Sequence, residues 1–208
     1  VMSHNSPDTS LRVFNTIKHY NLPITRAVLV SGASLAPYLN AFHTDLFLSA
    51  NEEDVQSAID GGIAAGIICT NHDVLKLQDA EWNQETAEIR IAFDGDAVLF
   101  SDESEQIYQA EGLQAFEENE ERNAASPLAE GPFADFLKKL SNLQIQLGRE
   151  NCPIRTALVT ARSAPAHERV IRTLRAWNVR VDEAFFLGGV EKKEVLRAFG
   201  AQIFFDDQ

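Results

Sequence analysis

The sequence predicts an α/β protein built on a parallel sheet, and three observations carry that expectation. Short β-branched or apolar runs bounded by turn residues recur along the chain. Amphipathic stretches of helical length separate them, which is the pattern of strands joined by crossover helices. At 208 residues the chain is long enough to bury a real core, in one large domain or two small ones.

In chain order the strand candidates are Ala27–Val30, Leu46–Leu48, Ile67–Cys69, Ile89–Phe93, Thr156–Val159, Ala184–Leu187 and Ile203–Phe205. Each is a run of the aliphatic and aromatic side chains that fit a pleated, buried surface. The spacing predicts helices over Leu11–Tyr20, Glu53–Asp60, Ser104–Glu121, Pro132–Leu147 and His167–Trp177. The third begins at an acidic turn and the fourth carries Pro in its first turn, both favourable helix starts. Asn123–Gly131 (NAASPLAEG) is the clearest internal linker, and Glu117–Arg122 (EENEER) reads as a solvated helix face.

Composition narrows the function classes. Hydrophobic residues make up 45 % of the chain and charged residues 24 %. No apolar run approaches the roughly 18 residues that span a bilayer, so no membrane role is expected. The opening VMSHNSPDTS lacks the charged start and long apolar stretch of a secretory signal. The two cysteines, Cys69 and Cys152, stand far apart and outside any CxxC spacing. They read as reduced thiols and suit the cytoplasm. A net charge of −13 argues against a nucleic-acid polymer, which needs clustered Lys and Arg. A single phosphate is a different matter, because one divalent cation and a few local donors can hold it inside an acidic protein. The five histidines show no zinc-ligand spacing.

A repeat search adds organisation. Residues 158–207 slide 157 positions onto residues 1–50 without a gap and give eleven identities. Arg169-Val170 fall on Arg12-Val13, Thr173 on Thr16, Asn178 on Asn21, Gly189 on Gly32 and Phe204 on Phe47. The copies differ where chemistry would sit. Thr160 is Ser3 in the first copy, Lys192 is Leu35, and Asp206-Asp207 are Ser49-Ala50. A site that needs a cation and an acidic pair cannot work from Ser, Leu and Ala, so the first copy reads as degenerate.

The strongest motif is Ile91-Ala-Phe-Asp94-Gly-Asp96-Ala-Val-Leu99. An apolar strand runs into two carboxylates separated by Gly, at the strand end where parallel sheets bind ligands. Residues two apart on an extended segment project to one side. One carboxylate can then attack an electrophile while the other handles a proton. Gly95 lets the backbone pass close to an anion or metal. Three further segments end in polar groups. Leu158-Val-Thr160-Ala161-Arg162 ends a strand in a hydroxyl, Gly188-Gly-Val-Glu-Lys192 sets a lysine beyond a Gly turn, and Ile203-Phe-Phe-Asp206-Asp207 ends a strand in an oxygen-rich pair suited to Mg²⁺.

This order of motifs resembles that of the haloacid dehalogenase (HAD) phosphohydrolases. The wording is narrower still. Ala92-Phe-Asp-Gly-Asp-Ala-Val-Leu-Phe-Ser-Asp-Glu103, Phe186-Leu-Gly-Gly189, Ile203-Phe-Phe-Asp-Asp-Gln208, Ser6-Pro-Asp-Thr9 and Phe47-Leu-Ser-Ala-Asn-Glu-Glu-Asp54 resemble the cytosolic 5'-nucleotidase type I family over essentially the whole chain. That resemblance implies a HAD-like Rossmannoid core and Mg²⁺-dependent hydrolysis of nucleoside or deoxynucleoside 5'-monophosphates through an aspartyl-phosphate. It implies Asp94 as nucleophile and Asp96 as acid and base. Thr160, Ala161, Arg162 and Lys192 would bind phosphate, and Asp94, Asp96, Asp206 and Asp207 would hold the metal. Spacing alone does not separate Lys192 from its neighbour Lys193. Family members run beyond both ends of this sequence, so a partial chain is expected.

The domain reading that follows has a degenerate Rossmann-like half over residues 1–87. A HAD core spans 88–99 and 152–208, with a small helical cap over 100–151. In HAD enzymes an insert there reads the leaving group, and Tyr108, Phe116, Phe133 and Phe136 are its candidates for stacking a base. The degenerate half would buttress the active one or help form a homo-oligomer. Two rivals stay open, a HAD phosphatase for a sugar phosphate or similar ester and a non-catalytic nucleotide-binding module.

Overall fold

A computed structural model of the chain describes residues 1–68, 88–148 and 151–207. Cys69, which closes one expected strand, and His72 lie outside them. The chain divides into two units, Val1–Cys69 and Thr70–Gln208.

The first unit holds β1 (Met2–Ser3), a 3-10 turn at Pro7–Ser10, α1 (Leu11–His19), β2 (Val28–Leu29), α2 (Ala36–Ala41), β3 (Phe47–Ser49), α3 (Glu52–Asp60) and β4 (Ala65–Ile67). β1 pairs with β2 and β3 with β4, both in parallel. Val28, Leu35, Leu39, Phe47, Val55, Ala58, Ile63 and Ala65 form its core. Asn51 caps α3 by accepting the Asp54 N–H at 3.0 Å, which satisfies a donor the helix leaves free.

The second unit holds β5 (Ile89–Phe93), α4 (Glu103–Glu111), α5 (Leu113–Arg122), α6 (Ala134–Leu147), β6 (Ile154–Thr160), α7 (His167–Ala176), β7 (Glu183–Phe186), α8 (Lys192–Phe199) and β8 (Ile203–Phe205). Its four strands lie in the order β7-β6-β5-β8, and every pair is parallel. β5 is central, with Phe93 opposite both Leu158 and Phe205. Its last three residues, Ile91, Ala92 and Phe93, are buried, as a strand covered on both faces requires. Because β6 and β8 flank β5 on opposite sides, the crevice of a doubly wound sheet opens at the carboxyl end of β5. Phe93, Phe133, Phe136 and Phe205 pack below that end, with Phe133 and Phe205 at 4.5 Å between ring centres.

Four sequence expectations change in detail. The helix expected over Ser104–Glu121 breaks at Gly112, whose φ of 86° and ψ of −178° suit glycine alone. The NAASPLAEG stretch is packed rather than a free linker: the Leu128 N–H donates to Thr173 Oγ1 at 2.9 Å, and Arg169 donates to the Ser126 carbonyl. The EENEER face is not wholly solvated, because Glu120 within it is fully buried. And α6 packs on the core: Ser141 Oγ accepts the Arg180 N–H, and Gln144 donates to Asp182 and to the Ile154 carbonyl.

The two units share local geometry at the offset found in the sequence. Met2 stands opposite Val28 and Ser3 opposite Leu29, as Val159 stands opposite Phe185 and Thr160 opposite Phe186. Left-handed residues coincide too: Asn21 and Asn178 have φ of 48° and 55°, Ser31 and Gly188 of 50° and 54°, and His43 and Gly200 of 51° and 72°. Thr16 bonds back to the Arg12 carbonyl at 2.9 Å, and Thr173 to the Arg169 carbonyl at 2.8 Å. None of the described helices is long and apolar enough to cross a membrane.

Candidate active site

β5 delivers Asp94 to the crevice. Its carboxyl is almost fully buried, at 6 % exposure, and both oxygens are engaged. Oδ1 accepts the Gly95 N–H at 2.7 Å and Oδ2 accepts from Lys192 Nζ at 2.5 Å. The same ammonium donates to Asp206 Oδ1 at 3.1 Å. Lys192 reaches both because α8 begins with it, just past the left-handed Gly188-Gly189 turn. Lys193, next along the helix, is exposed.

Burial pushes the Asp94 carboxyl up to about 6; the Asp206 contact adds to this, and Lys192 and the Gly95 N–H oppose it. Asp94, Asp206 and Asp207 offer oxygens within 4.8 Å of one another. Three carboxylates against one ammonium leave an excess of two negative charges. A donor set of oxygens alone, with that charge excess, fits a hard divalent cation rather than zinc.

Thr160 closes β6 beside this cluster, buried to 1 % exposure, with its Oγ1 accepting the Arg162 N–H at 3.3 Å. Gly95 is required by this approach. A Cβ there would lie 2.9 Å from Thr160 Oγ1, closer than side chains tolerate. After Gly95 the chain turns back through Ala97, at φ 60°, and the Leu99 and Phe100 N–H groups both donate to the Gly95 carbonyl. That turn fixes where Asp96 points.

Asp96, a candidate metal ligand, and Arg162, a candidate phosphate donor, hold each other in this structure: Arg162 Nη2 donates to Asp96 Oδ1 at 2.6 Å and Nε to Oδ2 at 2.9 Å. The third edge of the guanidinium meets Glu120 Oε2 at 2.5 Å. Arg169 Nη1 reaches Glu120 Oε1 at 2.8 Å, and Ser104 Oγ donates to the same oxygen. Burial pushes the Glu120 carboxyl up, but Arg162, Ser104 and Arg169 together outweigh it and hold Glu120 below its ordinary value. Burial likewise disfavours the Arg162 cation, and Asp96 and Glu120 more than restore it. Sequence reasoning missed Glu120 altogether. It sits among five other polar residues, and the one available signal was the pair of arginines at Arg162 and Arg169, which require a buried partner.

A cleft of about 290 Å³ opens over these groups, lined by Asp94, Asp96, Thr160, Ala161, Arg162, Ser163, Lys192 and Asp207 from the core and by Glu105, Tyr108 and Phe116 from α4 and α5. Tyr108 and Phe116 meet edge to face at 6.3 Å, and the Arg162 guanidinium lies 5.3 Å over the Phe116 ring. The other two aromatic candidates, Phe133 and Phe136, belong to the packed cluster beneath β5 and not to the cleft.

The 5'-nucleotidase family profile matches residues 1–208. Among curated proteins, human cytosolic 5'-nucleotidase 1B is 41 % identical over 212 residues, which cover 100 % of this chain and 34 % of that protein. The chain thus spans about a third of the length of that relative. No solved structure matches the chain.

Proposed function

The chain belongs to the 5'-nucleotidase family, and from that premise we propose that it catalyses Mg²⁺-dependent hydrolysis of nucleoside or deoxynucleoside 5'-monophosphates, with Asp94 as nucleophile. One observation carries this reading. Lys192 bridges Asp94 and Asp206 at the mouth of β5, within a carboxylate trio and beside Thr160 and Asp96.

In this reading a phosphate dianion enters the cleft and takes donors from Lys192, from the Thr160 hydroxyl and from backbone N–H groups around Ala161. The Gly95 N–H holds one Asp94 oxygen, and the other turns to phosphorus once Lys192 has passed to the phosphoryl oxygens. A bond forms between Asp94 and phosphorus while the bond to the leaving oxygen breaks, and Asp96 supplies that oxygen with a proton. Asp96 then takes a proton from water as water attacks the aspartyl-phosphate, which returns Asp94 and inorganic phosphate. Asp94, Asp206 and Asp207 are the residues that would hold Mg²⁺. When bound, the ion offsets carboxylate charge facing the phosphate and polarises the phosphoryl group.

The insert formed by α4 and α5 acts in this reading as the cap, and Tyr108 and Phe116 form the wall against which a nucleoside stacks. Their place in the cleft supports a nucleoside leaving group over a sugar phosphate, which has no flat apolar face. We also read the first unit as a degenerate copy of the core's latter part. The shared strand register and the coincident left-handed residues support that reading. A cytoplasmic location fits the name of the human relative.

The test is phosphate release from a panel of nucleoside monophosphates and sugar phosphates, with Mg²⁺ and with EDTA, alongside Asp94→Asn. Release that needs Mg²⁺, favours nucleotides and falls at least about 10³-fold in the variant is the expected result. Release that survives Asp94→Asn would overturn the mechanism. Tight nucleotide binding without turnover would turn the reading to a binding module.

A further inference from the structure

Glu120 has no exposed surface and four hydrogen-bonding partners: Ser104 and Asn119 from the insert, and Arg162 and Arg169 from the core. Arg162 is nearly as buried, and it spends Nε and Nη2 on Asp96 and Nη1 on Glu120. Two carboxylates and two guanidiniums make a closed, neutral set. Asp96 and Arg162 both line the cleft, and Asp96 is the more open of the two, with 20 % of its side chain exposed against 2 % for Arg162.

We propose that Glu120 is a positioning residue for the proton-transfer step, one that acts on Asp96 through Arg162. The inference rests on the reading of Asp96 as the group that protonates the leaving oxygen. A fork-to-fork pair fixes two planar groups against each other, but the pair as a whole still pivots unless something fixes the guanidinium. Glu120 supplies that third point. A carboxylate has about four lone-pair sites, and the two Arg162 bonds leave the others on Asp96 directed elsewhere, toward the cleft. Without Glu120, Arg162 and Arg169 would lose the anion between them, and the guanidinium that aims Asp96 would swing. Helix α5 thereby ties the placement of the insert to the aim of Asp96.

Protonation by Asp96 matters for a poor leaving group such as a nucleoside 5'-alkoxide and matters little for p-nitrophenolate, which departs unprotonated. Kinetics of the full chain on both esters therefore separate aim from general damage. Glu120→Gln keeps the shape of the side chain and removes its charge. It is expected to lower kcat on a nucleoside monophosphate by about 10²-fold with KM within about threefold, and to leave p-nitrophenyl phosphate turnover within a few-fold. Arg169→Lys loosens the same Glu120 oxygen while keeping its counter-charge, so any loss of rate should fall on the nucleotide and leave p-nitrophenyl phosphate turnover within a few-fold. Ser104→Ala, the milder change, keeps the test usable if Glu120→Gln does not fold. It should show the same selective loss at about 3- to 10-fold. Equal loss on both esters, or no loss on the nucleotide, would overturn the positioning role. Absence of turnover by the unaltered chain would instead overturn the reading on which it rests.

Discussion

The segment before residue 51 and the segment after residue 157 set their strands in the same register, yet they end those strands differently. In the second, β6, α8 and β8 present Thr160, Lys192 and Asp206-Asp207. In the first, the same places hold Ser3, Leu35 and Ser49-Ala50, and Leu35 is part of the hydrophobic core, at 3 % exposure. What the two share is what the backbone needs: Asn at the left-handed position after the helix, the left-handed pair before the next helix, and the Thr bonded back along the helix. Backbone geometry and chemistry are thus specified by different residues. The first kind coincides between the two segments while the second differs.

Exchanging the second kind should have the largest effect. Lys192→Leu installs the residue of the first segment and removes the ammonium shared by Asp94 and Asp206. A loss of about 10²- to 10³-fold in kcat/KM for phosphate release is expected, the usual cost of removing one donor from a charge-stabilising site. The reciprocal Leu35→Lys should create no activity, since no carboxylate pair stands near it in sequence register. Near-normal turnover by Lys192→Leu would break the comparison.

A smaller effect concerns charge rather than donors. Asp94 titrates near 6 when folded against an ordinary 3.8, so the folded state binds its proton more tightly than the unfolded chain does. Its contribution to stability is therefore full below about 3.8 and is lost as pH rises through about 6. In EDTA, denaturant titration should show the unaltered protein losing about 1–3 kcal/mol between pH 4 and 7 relative to Asp94→Asn. Parallel stability curves for the two proteins would mean that the burial of the Asp94 carboxyl is relieved in solution.

The smallest effect sharpens the likeness itself. Asn21→Ala and Asn178→Ala each place a side chain with no local hydrogen-bonding capacity at positive φ, and each should cost about 1 kcal/mol in thermal unfolding. A large cost at one and none at the other would separate the two segments.

Much of this architecture was legible in the sequence because alternating apolar runs and Gly turns report directly on strands and their connections. Asp94, Thr160 and Asp206 were legible for the same reason, since each closes or follows a strand whose apolar body is easily read, and Lys192 stood out as a cation just past a Gly turn. The pairings were not. Nothing in the spacing of Asp96, Glu120, Arg162 and Arg169 says that they form one cluster, because their proximity depends on how α5 lies on the core. Glu120 was hidden by its neighbours, since one buried position in a polar helix leaves the average composition almost unchanged. Phe133 and Phe136 misled in the opposite sense. Aromatic residues in an insert suggested a ligand surface, but they lie just before and within α6, which packs on the sheet.

The break at Gly112 gives the insert the mechanics of a cantilever. Its root is clamped by Ser104, Glu120 and Arg162, and its free tip is the one residue whose backbone a side chain would oppose. Tyr108 and Phe116 lie one helical turn to either side of that tip, midway along the beam. Extra residues at the tip would lengthen the reach of both helices and leave the root, with the aim of Asp96, where it is. In the proposed reading, this is the point at which the size of the accepted leaving group can drift from one descendant to another while the phosphate chemistry stays fixed.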